Sequence, residues 1–295
     1  MRKNVLLVAV VVLFGAIAPV FAQEGDIHGD IGVTYDTKYV WRGITVFGDK
    51  SGIHPFIDVD LMGTGFGINA TAHRANASGY EMSERWDYTL HYMGALETEQ
   101  TWETRYKIGY TYFNYPDMSS HTAYHSPRNL GSVDLQEIFV GVAFPKLLGV
   151  PGLVPGYVIV KGWPSNSDTL VGAANPNGGT YAGFAHIFML DYALPVAGLT
   201  AETPEQVLNF HMELVYNDGV DPRPMGGYTD SDWTHVLMGV STDFDLGNNV
   251  IFTPALYHQI TMEDDGSIGE GGYYGKGVSP DHSITWASLT VKYKF

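Results

Sequence analysis

Cysteine is missing from all 295 residues, which excludes a disulfide framework, thiolate metal ligands and a cysteine nucleophile. Long apolar runs are nearly missing too. After residue 22, no stretch approaches the roughly 20 consecutive apolar residues that a spanning helix needs. If the mature chain enters a membrane it must do so as a closed barrel, the other structure that satisfies every backbone group in lipid. Basic charge is scarce: 16 Lys and Arg stand against 32 Asp and Glu, a formal net charge of −16. Such acidity speaks against nucleic acid and anionic surfaces as partners, and favours cations or well-solvated loops.

What is present begins with an N-terminal leader. Arg2 and Lys3 precede the apolar run Val5 to Val20, and Val20-Phe21-Ala22 sets small residues ahead of Gln23. This reads as a signal peptide over 1–22 with its cleavage site, leaving 23–295 as the mature domain. An uncleaved anchor helix is the alternative. Loss of Arg2 and Lys3 takes the net charge from −16 to −18. The 35 Gly and 19 Tyr, with modest hydropathy, suit a barrel in which half of each strand is apolar.

The strands are read from a period of two. In the last stretch Ala287, Leu289, Val291, Tyr293 and Phe295 form an apolar row against Trp286, Ser288, Thr290, Lys292 and Lys294. A final alternating strand ending on Phe is how bacterial outer-membrane barrels close, so Tyr293 and Phe295 are the expected insertion signal for the barrel assembly machinery. At the other end, Ile31, Val33, Tyr35, Tyr39 and Trp41 oppose Asp30, Thr34, Asp36, Lys38 and Arg42, implying a first strand of about fifteen residues. Further alternating runs start near Ile53, Phe66, Arg85, Trp102, Asp134, Tyr157, Thr180, Leu208, Thr234 and Val250.

The count is twelve. Long polar connections alternate with short turns, apart from the longer linkers 145–156 and 194–205. An even strand number with long loops on one side points to an all-β, transmembrane antiparallel barrel of about 12 strands in the outer membrane, bathed in lipid and lipopolysaccharide.

A lumen of this size is expected to be lined by Asp36, Lys38, Arg42, Asp58, Asp60, His73, Arg85, Asp87, His91, Glu103, Arg105, Lys107, His211, Glu213 and Lys292. Charges of both signs have two readings. They create a transverse field that selects small solutes or ions, or they pair into a polar core. His28, His54, His73, His91, His211 and His282 fall on the same face. No two share a strand at ligand spacing, so neither metal nor cofactor is expected. His186 and His258 face lipid without an obvious Ser, and no G-x-S-x-G elbow occurs, so a lipid-acting enzyme is not the reading taken. Acidic loops around Asp218, Asp221, Asp230, Asp232, Glu263, Asp264, Asp265 and Glu270 could draw in cations or bind divalent ions shared with surface lipid.

Tyr39-Val40-Trp41-Arg42-Gly43-Ile44 resembles the TorF-type porins, a family of outer-membrane barrels. The likeness continues at Pro55 and Asp58, Gly65-Phe66-Gly67-Ile68, Glu84 to Tyr92, Gly109 to Pro116, Asp134 to Gly141 and Asp191 to Pro195. The chain departs from the family at Thr71-Ala72-His73-Arg74, where Ser-Asn is usual, and in its loops 163–179 and 218–231. The resemblance implies an outer-membrane barrel with a channel role. The residues themselves point to passive diffusion of small polar or charged solutes. A closed barrel acting through its acidic loops is the alternative.

Overall fold

The computed structural model describes residues 27–117, 134–165, 181–200, 203–220, 231–262 and 283–295. The leader and the cleavage site lie outside them. Twelve barrel strands run antiparallel in chain order: β1 His28–Asp36, β2 Gly52–Asp60, β3 Phe66–Ala75, β4 Arg85–Leu96, β5 Thr104–Asn114, β6 Leu135–Ala143, β7 Leu153–Pro164, β8 Tyr181–Thr200, β9 Thr203–Val220, β10 Ser231–Ser241, β11 Val250–Thr261 and β12 Ser283–Lys294. Each pairs with the next, and β1 pairs with β12 from Asp30↔Lys294 to Asp36↔Ser288, which closes the sheet and leaves no edge. Phe295 completes the seam, exchanging backbone hydrogen bonds of 2.9 and 3.0 Å with Gly29.

The distribution of side chains is inside-out. Ile31, Val33, Ile57, Ile68, Leu90, Ile138, Phe188, Leu256 and Leu289 are exposed on the outer wall, while Arg85, His91, Glu137, His235 and Gln259 are buried inside. No soluble monomer leaves so continuous an apolar belt in water. It is the outer surface of a barrel set in lipid, with its polar atoms turned inward. No helix among the described residues is long and apolar enough to cross a membrane.

Two expectations need correction. The first strand is nine residues long and stops at Asp36. Its expected continuation, with Tyr39 and Trp41 in the lipid row and Lys38 and Arg42 on the wall, instead leaves the sheet. Residues 37–51 turn into the barrel mouth, with a small ladder pairing Val40 to Thr45 and Trp41 to Ile44. The cause sits at the bend: Arg42 and Gly43 both take positive φ, 49° and 86°, the conformation that glycine adopts without steric cost. The described residues of the linker 194–205 are strand, not loop. β8 runs on to Thr200 and β9 starts at Thr203, as 20- and 18-residue strands, with Leu194 opposite Leu208 and Val196 opposite Gln206. β7 ends its pairing at Tyr192 and β10 at Asn209, so the two strands run on together past the barrel wall.

Candidate functional site

Tyr39, Val46 and Phe47, from the 37–51 connection, form the buried hydrophobic cluster, with Trp41, Ala75 and Tyr80 packed against it. The connection touches several parts of the wall at once. The Tyr39 ring stacks on His73 at 4.8 Å and lies 4.6 Å from that of His54. Arg42 forms an ion pair with Glu137 of β6, its Nη2 donating to Oε2 at 2.6 Å. On the far side, Gln259 Nε2 of β11 donates to the Gly43 carbonyl at 3.0 Å. The lumen is thereby divided into two halves.

One half is a packed polar core. Ile53 opposes Arg74 and Phe56 opposes Thr71, which sets His54 across from His73 on the inner face. Their Nδ1 atoms are 2.9 Å apart, and His73 Nε2 donates to Asp87 Oδ2 at 3.0 Å. His54 Nε2 lies 3.3 Å from Asp36 Oδ2, outside hydrogen-bond geometry. One Nδ1 must donate and the other accept, because two doubly protonated rings would set N–H against N–H. Asp87 also accepts from Arg85 Nη2 at 3.0 Å. Arg85, 2% exposed, donates to the Tyr39 hydroxyl at 3.1 Å and lies 4.0 Å over the Trp41 ring. A buried guanidinium needs such a set of partners, and Asp87 supplies the opposing charge.

The other half is lined differently. A cavity of about 240 Å³ runs between the connection and β8–β12, lined by Val40 to Gly43, Ala185, Ile187, Glu213, Val215, His235, Leu237, Gln259 and Trp286. Toward the short-turn end a second cavity of about 310 Å³ meets Asp191, Asn209, His211 and Tyr257. Asp191, His211 and Glu213 stand between the two, with His211 Nδ1 2.5 Å from Asp191 Oδ1 and Nε2 2.9 Å from Glu213 Oε1.

The remaining predicted positions separate by level. Asp58 holds Asn69 at 3.3 Å, and with Asp60, Asp30 and Lys294 it lines a cavity of about 450 Å³ at the short-turn mouth. Lys292 pairs with Asp30 at 3.1 Å. His91 is buried over Gly67, where a Cβ would come within 2.4 Å of its Nε2. Lys107 lies on the inner row beside it, opposite Met93. Lys38 sits half-buried in the connection rather than on the wall. Glu103 and Arg105 are not mid-lumen. They form a rim pair at 3.0 Å, joined by Lys146 at 3.0 Å, and these two cations hold the Glu103 carboxyl below the usual carboxylate range.

Among the described residues, three of the lumen's ion pairs are local. Asp87 lies two residues from Arg85, Asp30 faces Lys292 and Glu137 takes Arg42, so opposite charges neutralise one another locally. Among the described residues no group of three or more His, Asp or Glu is placed to hold a metal ion. On the outer face, His258 Nδ1 meets Thr285 Oγ1 at 2.8 Å and His186 Nδ1 meets the Tyr157 hydroxyl at 2.6 Å. His282, Asp221, Asp230 and the acidic stretch from Glu263 to Glu270 lie outside the described residues.

Glu137, Asp191, His235 and Gln259 were absent from the expected lining. Asp191 is found by counting back along the β8–β9 pairing, which sets it directly opposite His211.

No protein-family model and no curated protein matches the chain. Among solved structures it is similar to the KdgM porin, at 10% identity and a TM-score of 0.47, covering 90% of this chain and 99% of that one. It is also similar to OprD from Pseudomonas aeruginosa, at 11% and 0.37, covering 93% and 66%. A third is the anion-selective porin from Comamonas acidovorans, at 12% and 0.34, covering 92% and 99%. Likeness at this level does not extend to a substrate or a selectivity, and the TorF-type resemblance has no counterpart among the matches.

Proposed function

We propose that the protein is an outer-membrane channel through which small polar or charged solutes diffuse passively. The observation that carries this reading is the division of the lumen. The 37–51 connection packs against β2–β6, touches β11 through one backbone carbonyl, and leaves a lined cavity against β8–β12. A barrel serving only as a scaffold would gain by filling that space. The narrowest part of the path would be set by the connection, and its selectivity by the residues facing it.

The outer belt is suited to lipid and lipopolysaccharide. Tyr293 and Phe295, on the outer row of the closing strand, would be read by the barrel assembly machinery on insertion. Single-channel recording of the refolded protein in a planar bilayer tests the reading. Discrete conductance steps are expected; a correctly folded barrel that passes no current contradicts it.

A further inference from the structure

The wall facing the open cavity has an aliphatic patch with a carboxylate at its edge. Ile187 and Val215 are direct cross-strand partners, and Leu237 opposes Glu213 on the next pair. With Ala185 they present apolar surface to the lumen, where a water-filled passage would ordinarily be polar. The charge on the barrel wall here is acidic, while Arg42, which also borders the cavity, comes from the connection. Arg42 is matched by Glu137 on the connection's side. Asp191 and Glu213 share a single histidine, His211, which neutralises at most one of them.

We infer that this cavity is a binding site for primary alkyl- or arylalkyl-ammonium ions, the ammonium meeting Glu213 and the apolar body lying along Val215, Ile187 and Leu237. This deepens the channel reading and rests on it for the solute's passage, though not for its binding. The size fits. Residues two apart on one strand are separated by about 7 Å, so a body of roughly four to eight carbons covers the patch when its nitrogen reaches Glu213. A cavity of about 240 Å³ is below the range of drug-sized pockets and admits a fragment of that kind. Anions are repelled by the unmatched carboxylate, and hydrated metal ions gain nothing from the aliphatic wall.

Two readouts on the refolded full barrel separate this proposal from the channel reading. Butylammonium, hexylammonium and hexanoate are titrated against tryptophan fluorescence, since Trp41 and Trp286 both line the cavity, and the same ions are then tested for interruption of single-channel current. Hexylammonium is expected to bind more tightly than butylammonium by about fourfold per added methylene, and hexanoate not at all. Glu213→Gln should weaken ammonium binding at least tenfold. Ile187→Ala, which keeps the charge, should reduce the dependence on chain length. Fluorescence binding without any current would sink the channel reading and leave the site standing. Current with hexanoate binding as well as hexylammonium, or with affinity independent of chain length, would overturn the site and leave the channel.

Discussion

On the β2–β5 side of the lumen, the inner row carries His54, His73, Arg85, Asp87 and Phe113, and the 37–51 connection lies against it. On the β8–β10 side, the same alternation delivers Ala185, Ile187, Val215 and Leu237, with Glu213 and His235 among them, and a cavity instead of a packed layer. Both sides obey one rule, the period of two, but they are organised by different physics. The first is held by desolvated charge and aromatic packing, where each group depends on its partner. The second is an aliphatic surface that loses little if one methyl group is removed. The polar side is packed; the apolar side borders a cavity.

This contrast can be broken most severely at Asp87. Replacing it by Ala leaves the Arg85 guanidinium buried without its carboxylate, which should cost about 3–5 kcal/mol. A lowered urea midpoint of the refolded barrel would register it, and an unchanged midpoint would mean that the pair is dispensable. Next in size is Phe47→Ala. Phe47 is 0% exposed, and deleting its ring should remove about 3 kcal/mol from the seating of the connection. Proteolysis within 37–51 and larger, noisier current are the expected signs, with the barrel itself intact. On the opposite wall, Leu237→Ala should change stability by only about 1 kcal/mol while raising conductance; a loss as large as that at Asp87 would erase the distinction between the two sides.

The smallest effect belongs to the rim. Lys146 and Arg105 hold the folded-state pKa of Glu103 below its unfolded value, so their contribution is present above the ordinary carboxylate pKa of about 4.3. It is lost as pH falls through the lowered folded value. Glu103→Gln should flatten that acid-side slope in unfolding measurements without moving the neutral-pH conductance, because Arg105 and Lys146 are exposed and their charges are screened.

Much of the barrel was legible because its strands face lipid on one side and polar groups on the other, a condition that writes itself as strict alternation. Leu289, Val291 and Tyr293 of β12 and Phe210, Met212 and Leu214 of β9 fall on the outer row as their spacing requires. The connection was not legible for the same reason. Tyr39 and Trp41 stay in step with Val33 and Tyr35 of β1, with only Thr37 between, and the change of surroundings from lipid to lumen leaves aromatic residues equally suitable. The warnings were a strand too long for one crossing of the bilayer and a glycine just after Arg42, at a bend that requires positive φ. The meeting of His54 and His73 could have been reached from the tight turn at Gly63 to Gly65, by pairing residues outward from it. The ion pair Arg42–Glu137 could not, because it depends on where the connection comes to rest.

That resting place is tested most directly by single-channel conductance with residues 39–47 replaced by a short Gly-Ser linker. A several-fold rise in conductance over the unaltered barrel is expected, together with loss of any preference among solutes. Equal conductance in the two proteins would contradict it, because the connection would then not set the width of the path.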